Sequence, residues 1–146
     1  MGACHAGMAG AIDGMPQATL AQMREAAGGK LDTGRLVVAI GPMVQNGSLI
    51  VNMTIYTMFT SRSPSYARYF TALQSSAGAP RSDTRFTLNL PSFIVDRIVE
   101  WGVPRSNVDD LAIDTFAHPD EFYSYEYTLA HGIPTFGNQI AVIKLV

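Results

Sequence analysis

The stretch Cys4-His5-Ala6-Gly7-Met8-Ala9-Gly10-Ala11-Ile12-Asp13-Gly14, CHAGMAGAIDG, sets the reading of the chain. Met1 to His5 is short and apolar enough for the end of a strand, and Gly7 and Gly10 mark a tight passage out of it. A helix is predicted next, with Met15, Thr19, Met23 and Ala26 on one face at three-to-four spacing. Pro16 suits its first turn, and Gly28-Gly29 stops it. Successive side chains of an extended Met1–His5 segment point to opposite faces, so Cys4 and His5 form no dyad with each other. Cys4 then reads as a small buried hydrophobe rather than a nucleophile. His5 precedes a small-residue turn, where a ligand can approach the backbone closely.

Outward from this start, strand and helix signals alternate. Leu36-Val37-Val38-Ala39-Ile40, bounded by Gly34 and Gly41-Pro42, reads as a buried strand. Asn46-Gly47 is a turn signal. Ser48 to Val51 suits a short strand and Met53 to Phe59 a short helix. The stretch 62–85 is rich in Ser, Ala, Pro and Gly and looks the least ordered, with a helix around Tyr66 to Leu73. Phe86 to Leu90 alternates as a strand. Pro91 opens a helix that carries Phe93, Ile94, Ile98 and Trp101 inward and ends at Gly102. Leu111-Ala112-Ile113 reads as a strand, Asp120 to Tyr127 as an aromatic cluster, and Gln139 to Val146 as a final strand. There is no parallel-repeat rhythm. The fold class is α/β, a mixed sheet packed with helices in one domain spanning 1–146.

The totals narrow the function. A chain of 146 residues can bury about two-thirds of its unfolded surface, enough for a core. Its charged fraction is 15%, below the roughly 25% usual for soluble domains, which suggests that part of the surface is covered by other polypeptide. The net charge of −2, without a basic stripe, argues against nucleic-acid binding. No apolar run approaches a membrane span of about 20 residues, and no signal-peptide pattern opens the sequence. One cysteine cannot form an internal disulfide, so a reducing, cytoplasmic setting is the simplest expectation.

Isolated motifs say little. His118 and His131 have no Cys, Asp or Glu at a metal-ligand spacing and read as ordinary histidines. Asp109-Asp110 reads as a solvated turn after Pro104. Asp114, at a strand end, is a weak candidate for acid–base work. No GxGxxG, P-loop, HExxH or GxSxG occurs.

Taken in order, several stretches resemble one family. HAGMAG at His5–Gly10 resembles the HAGWRG signature of the YfiH family, also known as laccase-domain (multicopper polyphenol oxidase) proteins, peptidoglycan editing factors and purine nucleoside phosphorylases. AIGPMV at Ala39–Val44, FTLNL at Phe86–Leu90, DTF at Asp114–Phe116, FYSY at Phe122–Tyr125 and GNQIAVIKL at Gly137–Leu145 follow the family's motifs in order. The resemblance implies a YfiH-like α/β sandwich whose N-terminal half is missing, this polypeptide matching the C-terminal half. It implies zinc as cofactor, with His5 as catalytic ligand beside a cysteine and a second histidine that lie upstream in the family. Gly7, Ser124 and Tyr125 become the residues expected to bind substrate, a purine nucleoside undergoing phosphorolysis or deamination. A separate N-terminal half, or a second copy, is the partner implied.

The departures from the family pattern are chemical. Its Trp and Arg after His-Ala-Gly are Met8 and Ala9, its Cys-Tyr-Glu-Val falls on Ser48-Leu49-Ile50-Val51, its Arg-Arg on Glu126-Tyr127, and its Gly-Arg-Gln arginine on Asn138. Guanidinium groups fork onto phosphate oxygens, so these changes disfavour a phosphate co-substrate. A lone histidine does not hold zinc, because even catalytic sites use three protein ligands. The expectation is a divergent or truncated YfiH-family protein, weak or inactive alone. The alternative is a non-enzymatic homologue kept as a binding or structural partner. Copper-dependent phenol oxidation ranks third, since one Cys and three His do not make a multicopper ligand set.

Overall fold

The computed structural model describes residues 1–74, 80, 83–135 and 137–144. Five α-helices and five short strands are interspersed along these residues: α1 (Met8–Ile12), α2 (Met15–Ala26), β1 (Val38–Ile40), β2 (Ile50–Asn52), α3 (Met53–Arg62), β3 (Phe70–Ala72), β4 (Arg85–Leu88), α4 (Leu90–Glu100), β5 (Val108–Asp110) and α5 (Tyr125–His131). Parallel and antiparallel pairings both occur, so the mixed α/β class is observed. The polypeptide divides into two compact units, one of 1–42, 91–112 and 138–146, the other of 43–90 and 113–137.

In the first unit the opening stretch differs from its sequence reading. Residues 1–7 form neither strand nor helix, and α1 begins directly at Met8, with Gly10 inside it rather than at a turn. The break comes at Gly14, whose φ of 87° is the left-handed conformation that glycine adopts without a Cβ penalty. From there α2 runs as expected, with Pro16 in its first turn and left-handed Gly28 and Gly29 after its end. Its buried positions are Pro16 and Leu20, one step round from the expected face, and Met15 stays exposed.

The Leu36–Ile40 run forms only a three-residue strand. It pairs in parallel with β5, Val38 opposite Val108 and Ile40 opposite Asp110. The register is set beside the pair: the Asn107 side-chain amide donates to the carbonyls of both Gly34 and Leu36, each at 2.9 Å. This places β5 at Val108–Asp110 instead of Leu111–Ile113, and puts Asp109 and Asp110 in a strand instead of a solvated turn. Ala112, at φ 51°, then turns the backbone out of the ladder. Val37 is 80% exposed, so the run is not buried on both faces. Helix α4 buries Phe93, Ile94 and Ile98 as expected, and Val95 with them, while Trp101 is half-buried beneath the Arg24 guanidinium. Residues 139–144 carry the pattern of a final strand but form none. Ile140 and Val142 are more than four-fifths exposed. Leu145 and Val146 lie outside the described residues.

The second unit has an aromatic core. Strand β4 lies between β2 and β3, antiparallel to both. Alternation sends Phe86 and Leu88 of β4 and Val51 of β2 into the core, and leaves Ile50 out. Helix α3 is capped by Asn52, whose side-chain oxygen accepts from the Ile55 N–H. It brings Tyr56 into a stack on Phe86, ring centres 4.5 Å apart, and Phe59 into an edge contact with Phe70. The expected helix at Tyr66–Leu73 is instead a 3-10 turn at Pro64–Tyr69 followed by β3, because pairing with β4 outweighs local propensity. The rest of that polar stretch includes 75–79 and 81–82, which lie outside the described residues.

Because Phe59 has no exposed surface, Phe59→Ala should cost about 3–5 kcal/mol of unfolding free energy. Ile50→Ala, on the outer face of the same sheet, should stay within about 1 kcal/mol. Chemical denaturation of the two variants checks the contrast.

Candidate functional site

His5 is exposed, in the irregular segment that leads into α1. Its ring folds back over Gly7: a Cβ at position 7 would sit 2.9 Å from His5 Nε2. The Gly7 carbonyl accepts the first bond of the helix, from Ala11 N at 2.8 Å. Two of the expected site residues are thus together, with Gly7 leaving room for the imidazole. Cys4 is exposed, not buried, because Met1–His5 is not a strand and has no sheet face to bury it.

Ser124 and Tyr125 belong to the second unit, at the start of α5. Ser124 is 6% exposed and its hydroxyl accepts from the Tyr127 N–H at 3.3 Å, which makes it the helix N-cap. Tyr125 is 51% exposed and begins the helix. Of this pair, only Tyr125 offers its side chain to solvent.

Two arrangements here go beyond what was read from the sequence. The Asp114 carboxylate collects three donors: Ser48 Oγ at 2.5 Å and the backbone N–H groups of Phe116 at 3.0 Å and Gln45 at 3.2 Å. These bonds span 66 and 69 residues of sequence for Ser48 and Gln45, beyond the reach of any local signal. Asp114 is therefore a clamp between the 43–48 segment and the 113–116 segment, with three of its roughly four lone-pair sites engaged. The second is an aromatic group at α5. The His131 ring stacks on Tyr127 with centres 3.9 Å apart, its Nδ1 lies 2.9 Å from the Tyr127 carbonyl, and Phe116 meets Tyr127 edge-on. The i, i+4 spacing of Tyr127 and His131 on one helix was the available signal. His118 is exposed, and its carbonyl closes the turn to Glu121 and Phe122.

Zinc was the expected cofactor. Among the described residues, no three or more His, Cys, Asp or Glu side chains come together as a metal-binding group. His5 is not part of any such group, and Asp114 already accepts three hydrogen bonds. The residues present do not fit a zinc or multicopper centre. An apolar hollow lined by Met1, Met23, Ala26, Ala27 and Leu31 has no ionisable side chain to do chemistry. Among the described residues no helix is long and apolar enough to cross a membrane.

The family model described as multi-copper polyphenol oxidoreductase laccase matches residues 1–146. The chain belongs to this family. The match bears out the resemblance carried by HAGMAG and the motifs that follow it. The laccase-like YfiH fold is also that of the crystal structure of Neisseria meningitidis protein NMB0706, described under the family model DUF152. That structure superimposes with a TM-score of 0.68 at 22% identity, over 85% of this chain. The chain spans 45% of the length of that relative. No curated protein matches the sequence.

Two outcomes are expected from these positions. Cys4 should react stoichiometrically with a thiol reagent in the folded protein, and a requirement for denaturant would contradict its exposure. Ser124→Ala should destabilise by about 1 kcal/mol through loss of the cap, measured by thermal unfolding, with Ser124→Asp retaining most of the stability.

Proposed function

We propose that this YfiH-family polypeptide takes part in purine nucleoside chemistry only together with residues it does not itself carry, and is inactive alone. The observation that carries the reading is that, among the described residues, no three His, Cys, Asp or Glu side chains come together, around His5 or elsewhere. The family signature supplies one imidazole, and a three-ligand centre needs partners from another polypeptide. A separate segment corresponding to the uncovered part of the longer relative is the natural source, with a second copy of this protein as the other.

The residues aligned with the family's arginines point to hydrolysis, such as deamination, over phosphorolysis. Ala9 is exposed on α1 and Asn138 is exposed in the C-terminal segment, neither offering charge. Glu126 sits in the first turn of α5, where its carboxylate offsets the helix dipole and would repel phosphate. Tyr127 is engaged by His131. Losing two charge-assisted contacts of roughly 1.5–3 kcal/mol each would weaken phosphate binding a hundredfold or more.

The second reading is a non-enzymatic partner. It is favoured by the use of Ser124 as a buried cap and by the exposed apolar side chains of Val37, Ile140 and Val142.

The test is turnover of adenosine and inosine by the purified protein with added zinc, across a phosphate series. No turnover is expected from the protein alone, and zinc should dialyse away equally from wild type and His5→Ala. Turnover that appears when the complementing segment is added, and that ignores phosphate, supports the first reading. A stable complex without turnover favours the second. Stoichiometric zinc held by the protein alone, and lost in His5→Ala, overturns the proposal.

A further inference from the structure

We infer that Asn46-Gly47 is a self-modifying site, at which spontaneous deamidation releases the Asp114 clamp of the second unit. The turn occupies residues 46–48, and both Asn46 and Gly47 are exposed. Among the described residues, neither the Asn46 side-chain amide nor the Gly47 N–H has a hydrogen-bond partner. Gly47 has a φ of 101°, and no heavy atom lies within 4 Å of where a Cβ would stand. The attacking nitrogen and the amide it attacks are thus both without hydrogen bonds, and glycine brings no side chain to crowd them. The other four asparagines, Asn52, Asn89, Asn107 and Asn138, precede Met, Leu, Val and Gln, whose side chains crowd the same attack. Asn52 and Asn107 are further held by hydrogen bonds through their side chains.

The chemistry needs only water. The Gly47 backbone nitrogen, after losing its proton to hydroxide, attacks the Asn46 Cγ carbonyl carbon. The new bond between Gly47 N and Asn46 Cγ closes a five-membered succinimide. The bond from Asn46 Cγ to Nδ2 breaks, releasing ammonia with a proton taken from water. Water then opens the ring at either carbonyl. One product is aspartate. The other is isoaspartate, in which the backbone runs through the former side chain and gains a carbon atom. The balance is amide plus water giving carboxylate plus ammonium.

The position of the site gives this reaction a structural consequence. The residues on either side of the pair, Gln45 and Ser48, both donate to Asp114. The Gln45 carbonyl also closes the turn by accepting from the Ser48 and Leu49 N–H groups, each at 3.2 Å. A carboxylate at position 46 adds like charge between two residues that hold a carboxylate, and disfavours the clamp. The isoaspartyl product also lengthens the backbone between Gln45 and Ser48, so that both can no longer keep their bonds to one side chain. Phe116 bonds the same Asp114 oxygen as Gln45, so a carboxylate no longer pinned from the 45–48 side is free to turn and loosens that bond as well.

The experiment is incubation of the full-length protein at mildly alkaline pH, followed by peptide mapping and amide hydrogen exchange. Conversion at Asn46 should exceed that at each other asparagine by roughly tenfold or more, with isoaspartate present among the products. The Gln45 and Phe116 amides should exchange faster in the aged protein. Asn46→Ser should abolish both changes. Asn46→Asp, made directly, should reproduce part of the faster exchange without ageing. Conversion at Asn46 no faster than at Asn89 or Asn138 overturns the modification site. Conversion that leaves the Gln45 and Phe116 exchange rates unchanged overturns the link to Asp114.

Discussion

One asparagine amide determines the form of the first unit. By donating to the Gly34 and Leu36 carbonyls, Asn107 fixes which residues of β1 and β5 face each other. A parallel pair has no hairpin to set its register, so it depends on contacts of this kind. The Arg105 guanidinium, 2.7 Å from the Val108 carbonyl, braces the same turn. Once Val38 stands opposite Val108, the Leu111 N–H reaches the Ile40 carbonyl and the ladder ends there. The segments that follow the two strands are gathered in the second unit by Asp114. Two polar side chains, neither conspicuous by composition, thus direct the course of four stretches of backbone.

Local rules predicted some elements well. Helix α2, its Pro16 start and its Gly28-Gly29 stop were legible because capping and breaking are properties of adjacent residues. The same holds for the inward face of α4 and for β4, whose period-two alternation matched its burial. Errors fell where long-range pairing decides. The Leu111–Ile113 run is as apolar as a strand should be, yet the strand lies three residues earlier because Asn107 sets it there. The segment 139–144 has strand composition without a strand, since composition cannot supply a pairing partner.

The site was legible at the level of the family and less so at the level of roles. HAGMAG pointed to the correct family, and His5 and Gly7 do lie against each other. Ser124 matched a motif but performs a backbone task, because a serine ahead of a helix is as good a cap as it is a ligand. The Tyr127–His131 stack and the Asp114 clamp were missed. The first needed the helix phase of α5, and the second joins residues far apart in sequence.

The two-stranded sheet of the first unit has unequal borders. β5 contributes Asp109 and Asp110, charged side chains of the kind that discourage edge-to-edge pairing. β1 contributes Val38, Ala39 and Ile40, without a charge among them. The two strands of one ladder thus differ in the protection they carry: the β5 border is guarded by its own charges, and the β1 border has none of its own.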